Sequence, residues 1–154
     1  MLTEGQKAPE FSLPAGGGQT VSLSDFRGKQ NVVLYFYPKD DTPGCTKEAC
    51  SFRDTREEFA AAGTAILGVS NDSVKSHERF AEKYHLPFPL LADEEKTVVN
   101  AYGVLKEKTN YGRTYLGIQR TTFVIDKEGL IRKIWPKVDV ETHIDEALEF
   151  IKTL

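Results

Sequence analysis

Apolar residues in this chain gather into short blocks set apart by polar turns. Residues 31–37, Asn-Val-Val-Leu-Tyr-Phe-Tyr, are nearly all apolar, β-branched or aromatic. That run predicts a strand covered on both faces, as in a central strand flanked by helices. Residues 65–70 predict a second buried strand, and residues 88–91 a short third one. Residues 119–125 and 130–135 predict two more, joined by the turn Asp126-Lys127-Glu128-Gly129. Near the start, Phe11 and Leu13 alternate between Pro9 and Pro14, as an edge strand would. Residues 20–22 can return beside them as a hairpin.

Helical spacing fills the gaps. Residues 45–62 place Ala49, Phe52 and Phe59 among charges and stop at Gly63. After Asp72, a good N-cap, Val74, Phe80, Ala81 and Tyr84 mark one helix face. Asp93 is expected to cap a helix through Tyr102, closed by Gly103. Residues 139–154 carry Ile144, Leu148 and Ile151 on one face. Residues 24–28 read as one helical turn, and residues 104–118 as a long polar loop. The order of strands and helices predicts an α/β sandwich around a mixed sheet, parallel early and antiparallel late. This is a thioredoxin-like arrangement of a single domain, residues 1–154, with an N-terminal hairpin extension.

Composition narrows the function. The chain has 154 residues, 40% hydrophobic and 28% charged, enough for a sizeable core. A net charge of -3 disfavours general nucleic-acid binding. No apolar run reaches the roughly 18 residues of a membrane span. The first residues do not read as a secretory signal, so a reducing cytoplasm is the expected setting. The glycine run at 16–18 lacks the Gly-Lys-Ser/Thr ending of a phosphate loop and reads as a plain turn. His77, His85 and His143 show no ligand spacing with the cysteines. They are expected on the surface or on helix faces, with no metal centre.

The candidate chemistry lies between the first strand block and the helix after it. Thr42-Pro43-Gly44-Cys45 reads as a helix entry, with Thr42 as cap and Pro43 at the first helical position. Cys45 then falls among backbone N–H groups that have no intrahelical partner. Those donors and the helix dipole favour an anion. A nucleophilic, mostly ionised Cys45 is the expectation. Cys50, the only other cysteine, follows five residues later. That spacing is not the Cys-x2-Cys of disulfide exchangers. Five helical residues rise about 7.5 Å, whereas a disulfide wants Cα atoms about 4.4–6.8 Å apart. Bonding Cys45 to Cys50 therefore requires the helix between them to unwind or shift. A transient bridge fits this better than a structural one.

The pattern Pro38-x-x-x-Thr42-x-x-Cys45, after an aromatic-rich strand and before Cys50, resembles the peroxiredoxins. The cysteine spacing is similar to that of the peroxiredoxin Q or bacterioferritin comigratory protein group. The likeness extends through Gly5-x-x-Ala8-Pro9-x-Phe11-x-Leu13, Leu23-x-Asp25-Phe26-Arg27-Gly28-Lys29, Tyr115-Leu116-Gly117-Ile118 and residues 120–126. It implies a thiol peroxidase acting on hydrogen peroxide and organic hydroperoxides. Cys45 would be the peroxidatic residue and Cys50 the resolving one, forming an intramolecular disulfide. Thr42 would contact the thiolate and peroxide, and Arg120 would stabilise both. Pro38, Pro43 and Gly44 would shape the pocket, and Glu48 could orient Arg120, although a solvated helix face accounts for it almost as well. Thioredoxin or a glutaredoxin-like dithiol would restore the thiols, with no metal or organic cofactor. An intramolecular bond needs no second subunit, so a monomer is expected. Two other readings stay open: a redox sensor or binding module switched by unwinding of the Cys45 helix, and a disulfide exchanger.

Overall fold

A computed structural model describes residues 1–154. The elements, in order, are β1 (Ser12–Pro14), β2 (Thr20–Ser22), β3 (Asn31–Phe36), α1 (Pro43–Ala61), β4 (Thr64–Ser70), α2 (Val74–Tyr84) and β5 (Leu90–Ala92). They continue with α3 (Thr97–Ala101), β6 (Leu105–Asn110), β7 (Arg113–Ile118), β8 (Thr121–Ile125), β9 (Ile131–Trp135) and α4 (His143–Ile151). The central sheet has five strands in the order β5-β4-β3-β8-β9. β3, β4 and β5 run parallel, whereas β8 is antiparallel to β3 and β9 to β8. This is the mixed sheet expected from the element order.

All six residues of β3 are buried. Successive side chains point to opposite faces of a strand, so β3 feeds two cores at once. Val32, Leu34 and Phe36 pack with Phe11, Leu13 and Tyr102 on one side. Val33, Tyr35 and Tyr37 pack with Phe52, Phe80 and Leu148 on the other. The β1–β2 hairpin and α3 cover the first face; α1, α2 and α4 contribute to the second. A strand so enclosed is a rigid base for the turn that leaves its C-terminal end.

Several boundaries differ from the sequence expectation, each for a local reason. Residues 104–118 are not a loop but the β6–β7 hairpin, paired from Leu105 with Ile118 to Asn110 with Arg113. Most of its side chains are exposed, so no hydrophobic alternation betrays it. Its two-residue turn is Tyr111-Gly112, both with positive φ, which suits a tight hairpin. Ser73, not Asp72, caps α2: its side chain accepts from Ser76 N–H at 3.1 Å. Asp93 lies ahead of the five-residue helix α3, yet its carboxylate accepts from Val99 N–H at 2.8 Å inside it. The third predicted strand shifts to Leu90–Ala92, and the last helix starts at His143 rather than at residue 139.

Two of the three histidines are buried, not on the surface. His77 is 1% exposed and His143 is 2% exposed. His143 Nε2 lies 2.8 Å from Thr122 Oγ1, and its ring meets Trp135 edge-on at 5.1 Å. Burial pushes its pKa from 6.5 down to about 4, with Glu146 opposing. The unfolded chain thus takes up this proton at a pH where the folded chain refuses it. Stability from this group is complete above about 6.5 and falls as pH drops toward 4, by about 3 kcal/mol in all. We expect His143→Gln to flatten the acid limb of a stability-versus-pH curve measured by urea unfolding. An unchanged limb would show that His143 does not shape it.

Candidate active site

The site forms where β3 ends. Tyr37 continues the strand and is buried, and its N–H bonds to Val69 C=O at 3.1 Å. The chain then turns through Pro38 and Lys39 to Asp41, which takes a left-handed backbone with φ 56°. Thr42 is extended, and Pro43 opens the helix at a position where its missing N–H costs nothing. The first helical bond runs from Thr46 N–H to Thr42 C=O at 2.8 Å. The N–H groups of Gly44 and Cys45 lie ahead of it, without an intrahelical acceptor. Thr42 occupies the cap position as expected, but its side chain does not cap α1. Its hydroxyl instead donates to Lys39 C=O at 2.8 Å, which tightens the turn.

Cys45 is the third residue of α1 and is only 2% exposed. Its side chain packs in the aromatic-rich core with Tyr37 and Phe52. A turn bracketed by prolines therefore buries its cysteine. Burial does not leave the sulfur in purely apolar surroundings. Arg120 Nη2 lies 3.4 Å from Cys45 Sγ. Arg120 arrives from the strand next to β3: Phe36 pairs with Thr121 of β8, so the preceding residue, Arg120, stands beside the start of the turn. Gly44 makes room for it, since a Cβ there would meet Arg120 Nη2 at 3.0 Å.

Glu48, one turn beyond Cys45, is fully buried. Its Oε1 accepts from Arg120 Nη1 at 2.7 Å. A solvated helix face does not describe it; it fixes the guanidinium that touches the sulfur. The other oxygen, Oε2, is buried without a hydrogen-bond partner, as is the Tyr35 hydroxyl. Burial raises Glu48 from 4.5 to about 7, against the pull of Arg120. Burial also works against the charge on Arg120, but Glu48 and Cys45 beside it more than offset this and keep it protonated.

Of the remaining expected residues, Pro38 is half-buried beside the turn and Pro43 is exposed at the helix start. Cys50 is half-buried farther along α1, and both cysteines are free thiols. The structure thus joins Cys45, Glu48 and Arg120 by direct contacts, sets Gly44 against Arg120, and keeps Cys50 apart from Cys45. Sequence reasoning missed Asp40, Asp41 and Lys108. Asp40 is buried behind the turn, and Asp41 bonds Lys83 Nζ at 2.8 Å and Tyr84 Oη at 2.9 Å. Lys108 donates from β6 to Ile118 C=O at 2.6 Å. Burial lowers its pKa, Arg120 adds to that, and Cys45 opposes it. An aspartate pair in a turn was a visible signal, but its partners lie some 40 residues away.

Comparison with known proteins decides the family. Residues 4–134 match the AhpC/TSA family. The chain belongs to that family, in its Bcp/peroxiredoxin Q group. A Bcp peroxiredoxin of Coxiella burnetii is 56% identical over 144 residues, covering 94% of this chain and 95% of the relative. Peroxiredoxin Bcp of Bacillus subtilis is 53% identical over 150 residues, covering 97% and 95%. The bacterioferritin comigratory protein of Xanthomonas campestris, solved in trapped intermediate and ligand complexes that address its alkyl peroxide reduction, superposes with a TM-score of 0.88. It is 43% identical, over 93% of this chain and 90% of that one. With these peroxiredoxins the thioredoxin-like fold and a thiol peroxidase activity are shown. No helix of this peroxiredoxin is long and apolar enough to cross a membrane.

The buried Glu48 makes a stability prediction. Its folded pKa of about 7 lies above the ordinary 4.5, so the folded state holds this proton longer than the unfolded chain does. Stability from this group is complete below about 4.5 and is lost as pH rises to about 7, by about 3 kcal/mol. Glu48→Gln keeps an oxygen for Arg120 and removes the charge. We expect the variant to gain stability over wild type on going from pH 5 to pH 8 in urea titrations. Parallel curves for the two proteins would contradict the assignment.

Proposed function

We propose that residues 1–154 form one thioredoxin-like domain in which Cys45 reduces hydrogen peroxide and organic hydroperoxides. The contact that carries this reading is Arg120 Nη2 against Cys45 Sγ at 3.4 Å, with Glu48 holding the guanidinium from behind. A fixed cation at the sulfur favours thiolate over thiol, and arginine offers further donors to the peroxide oxygens. The thiolate attacks the nearer peroxide oxygen, and the O–O bond breaks as the S–O bond forms. The departing alkoxide or hydroxide takes a proton and leaves as alcohol or water. Cys45 is left as a sulfenic acid. Thr42 stands at the helix entry with an oxygen still able to accept, and Pro38, Pro43 and Gly44 shape the approach.

Cys50 then resolves the intermediate. Its sulfur attacks Cys45, expels water and forms the Cys45–Cys50 disulfide. An external dithiol, thioredoxin or a glutaredoxin-like protein, reduces that bond by exchange through a mixed disulfide. Two electrons enter from the dithiol and leave on the peroxide, so thiols carry every step. A monomer in the cytoplasm fits this cycle, since both cysteines belong to one chain. A sensor role has one supporting observation: α1 is continuous from Pro43 to Ala61, so oxidation must remodel a helix. Rapid multiple turnover would separate the two readings in favour of the enzyme.

Peroxide consumption with a thioredoxin reducing system tests the assignment. Cys45→Ser is expected to lose turnover entirely. Cys50→Ser is expected to consume about one equivalent of peroxide in reaching the sulfenic acid, a second as excess peroxide drives Cys45 to sulfinic acid, and then to stall with this dithiol. Full turnover by Cys45→Ser would overturn the catalytic assignment, and full turnover by Cys50→Ser would overturn the resolving one.

A further inference from the structure

Behind the Cys45 turn lies a buried polar cluster that the peroxide chemistry does not use. Asp40, Asp72 and His77 bring carboxylate and imidazole atoms within 4.8 Å of one another. The side chains of His77 and Asp40 are 1% and 4% exposed. A buried carboxylate is costly unless its oxygens are bonded, and those of Asp40 are. Oδ1 accepts from Tyr37 Oη at 2.5 Å. Oδ2 accepts from Ser76 Oγ at 2.7 Å and lies 2.7 Å from His77 Nδ1. The Asp40 N–H in turn donates to Asp72 Oδ2 at 2.8 Å, and Ser70 Oγ holds that same oxygen at 2.7 Å. With its atoms so engaged, the cluster is a closed hydrogen-bond network.

The imidazole protons follow from the partners. His77 Nε2 lies 3.0 Å from Leu91 C=O, which can only accept, so Nε2 carries hydrogen. Nδ1 faces a carboxylate, and two lone pairs cannot hold that contact. One shared proton therefore lies between His77 and Asp40. The partners of Asp40 come from the end of β3 and from α2, with His77 braced on β5; Asp40 alone belongs to the loop. This one side chain thus pins the loop to the scaffold, five residues ahead of Cys45. The neighbouring Asp41 pair with Lys83 is exposed, and such pairs contribute little.

We propose that His77, acting through Asp40, is a positioning residue that holds the turn ahead of Cys45 in its peroxide-reactive form. It thereby sets the balance between peroxide reduction and disulfide formation. The proposal rests on the roles given above to Cys45 and Cys50. The reactive form needs the helix entry docked so that Cys45 meets Arg120. Disulfide formation needs the first turns of α1 to leave that arrangement. A buried anchor at Asp40 favours the first state and opposes the second. Removing it must therefore slow one step and speed the other.

Rapid-quench mass spectrometry of the full chain resolves the two steps as sulfenic acid formation and disulfide formation. In His77→Ala and Asp40→Ala we expect the first to slow by about tenfold or more and the second to accelerate by a similar factor, as loss of a hydrogen bond to a charged group implies. Asp40→Asn is the conservative rescue. Its Nδ2–H donates to a neutral His77 Nδ1 while Oδ1 still accepts from Tyr37, so the first step should stay within about threefold of wild type. Where an alanine variant at either position fails to fold, Ser76→Ala decides. Loss of one donor from a half-buried serine should move the two rates in opposite directions by a few-fold. Rates that do not move, or that fall together alongside a lower melting temperature, would mark the cluster as merely structural and overturn the proposal. Wild-type protein whose Cys45 is not oxidised by peroxide would instead overturn the peroxidase assignment itself.

Discussion

The five-residue spacing between Cys45 and Cys50 on one continuous helix constrains everything else at this site. The axial rise of about 7.5 Å over five residues exceeds the Cα separation a disulfide accepts. The same helix start that supplies free N–H donors to Cys45 therefore keeps its partner thiol away. In the proposed cycle, peroxide reduction needs the helix wound, and a Cys45–Cys50 disulfide needs it opened. On that reading the protein must hold the first state firmly enough to react and loosely enough to leave.

The contacts around Cys45 divide along that line. Arg120 and Glu48 form a buried pair that is complete only when α1 is docked, because Glu48 sits on α1 and Arg120 precedes β8. Glu48 is an expensive residue to bury as an anion, and one of its oxygens lacks a partner. Such a group is a natural point of weakness in the wound state. The Asp40 network works the other way: every oxygen of that carboxylate is bonded, and it fastens the loop to α2 and β3. The unpartnered Glu48 oxygen lies on the helix that must move, whereas the fully bonded Asp40 carboxylate ties the preceding loop to the frame beneath it.

Much of this was legible in the sequence. The unbroken apolar run of β3 announced a central strand, and the Thr42–Cys45 turn announced a helix entry beside a nucleophile. Helix spacing alone showed that the cysteines cannot bond in place. What escaped was what depends on register and distant partners. Arg120 was reached only through the family resemblance: it stands at Cys45 because Phe36 pairs with Thr121, a fact no local pattern holds. The β6–β7 hairpin has polar residues on both faces, so its period is silent even though Tyr111-Gly112 is a serviceable tight turn. Asp72 looked like a cap, and for Glu48 the sequence left two readings, a partner of Arg120 or a solvated face; Asp72 turns instead to Asp40 and Ser70, and Glu48 to Arg120. His77 and His143 are buried for the same reason, each satisfied by a hydroxyl, carboxylate or carbonyl supplied from another element.

Hydrogen–deuterium exchange of α1 tests the opening of the helix most directly. Reduced protein and protein oxidised by one equivalent of peroxide, with the Cys45–Cys50 bond verified by mass spectrometry, are compared peptide by peptide. Amides of residues 46–52 should be protected in the reduced protein and exchange far faster in the oxidised one, while β3 and β4 stay protected in both. Unchanged protection of residues 46–52 in the disulfide form would contradict the account.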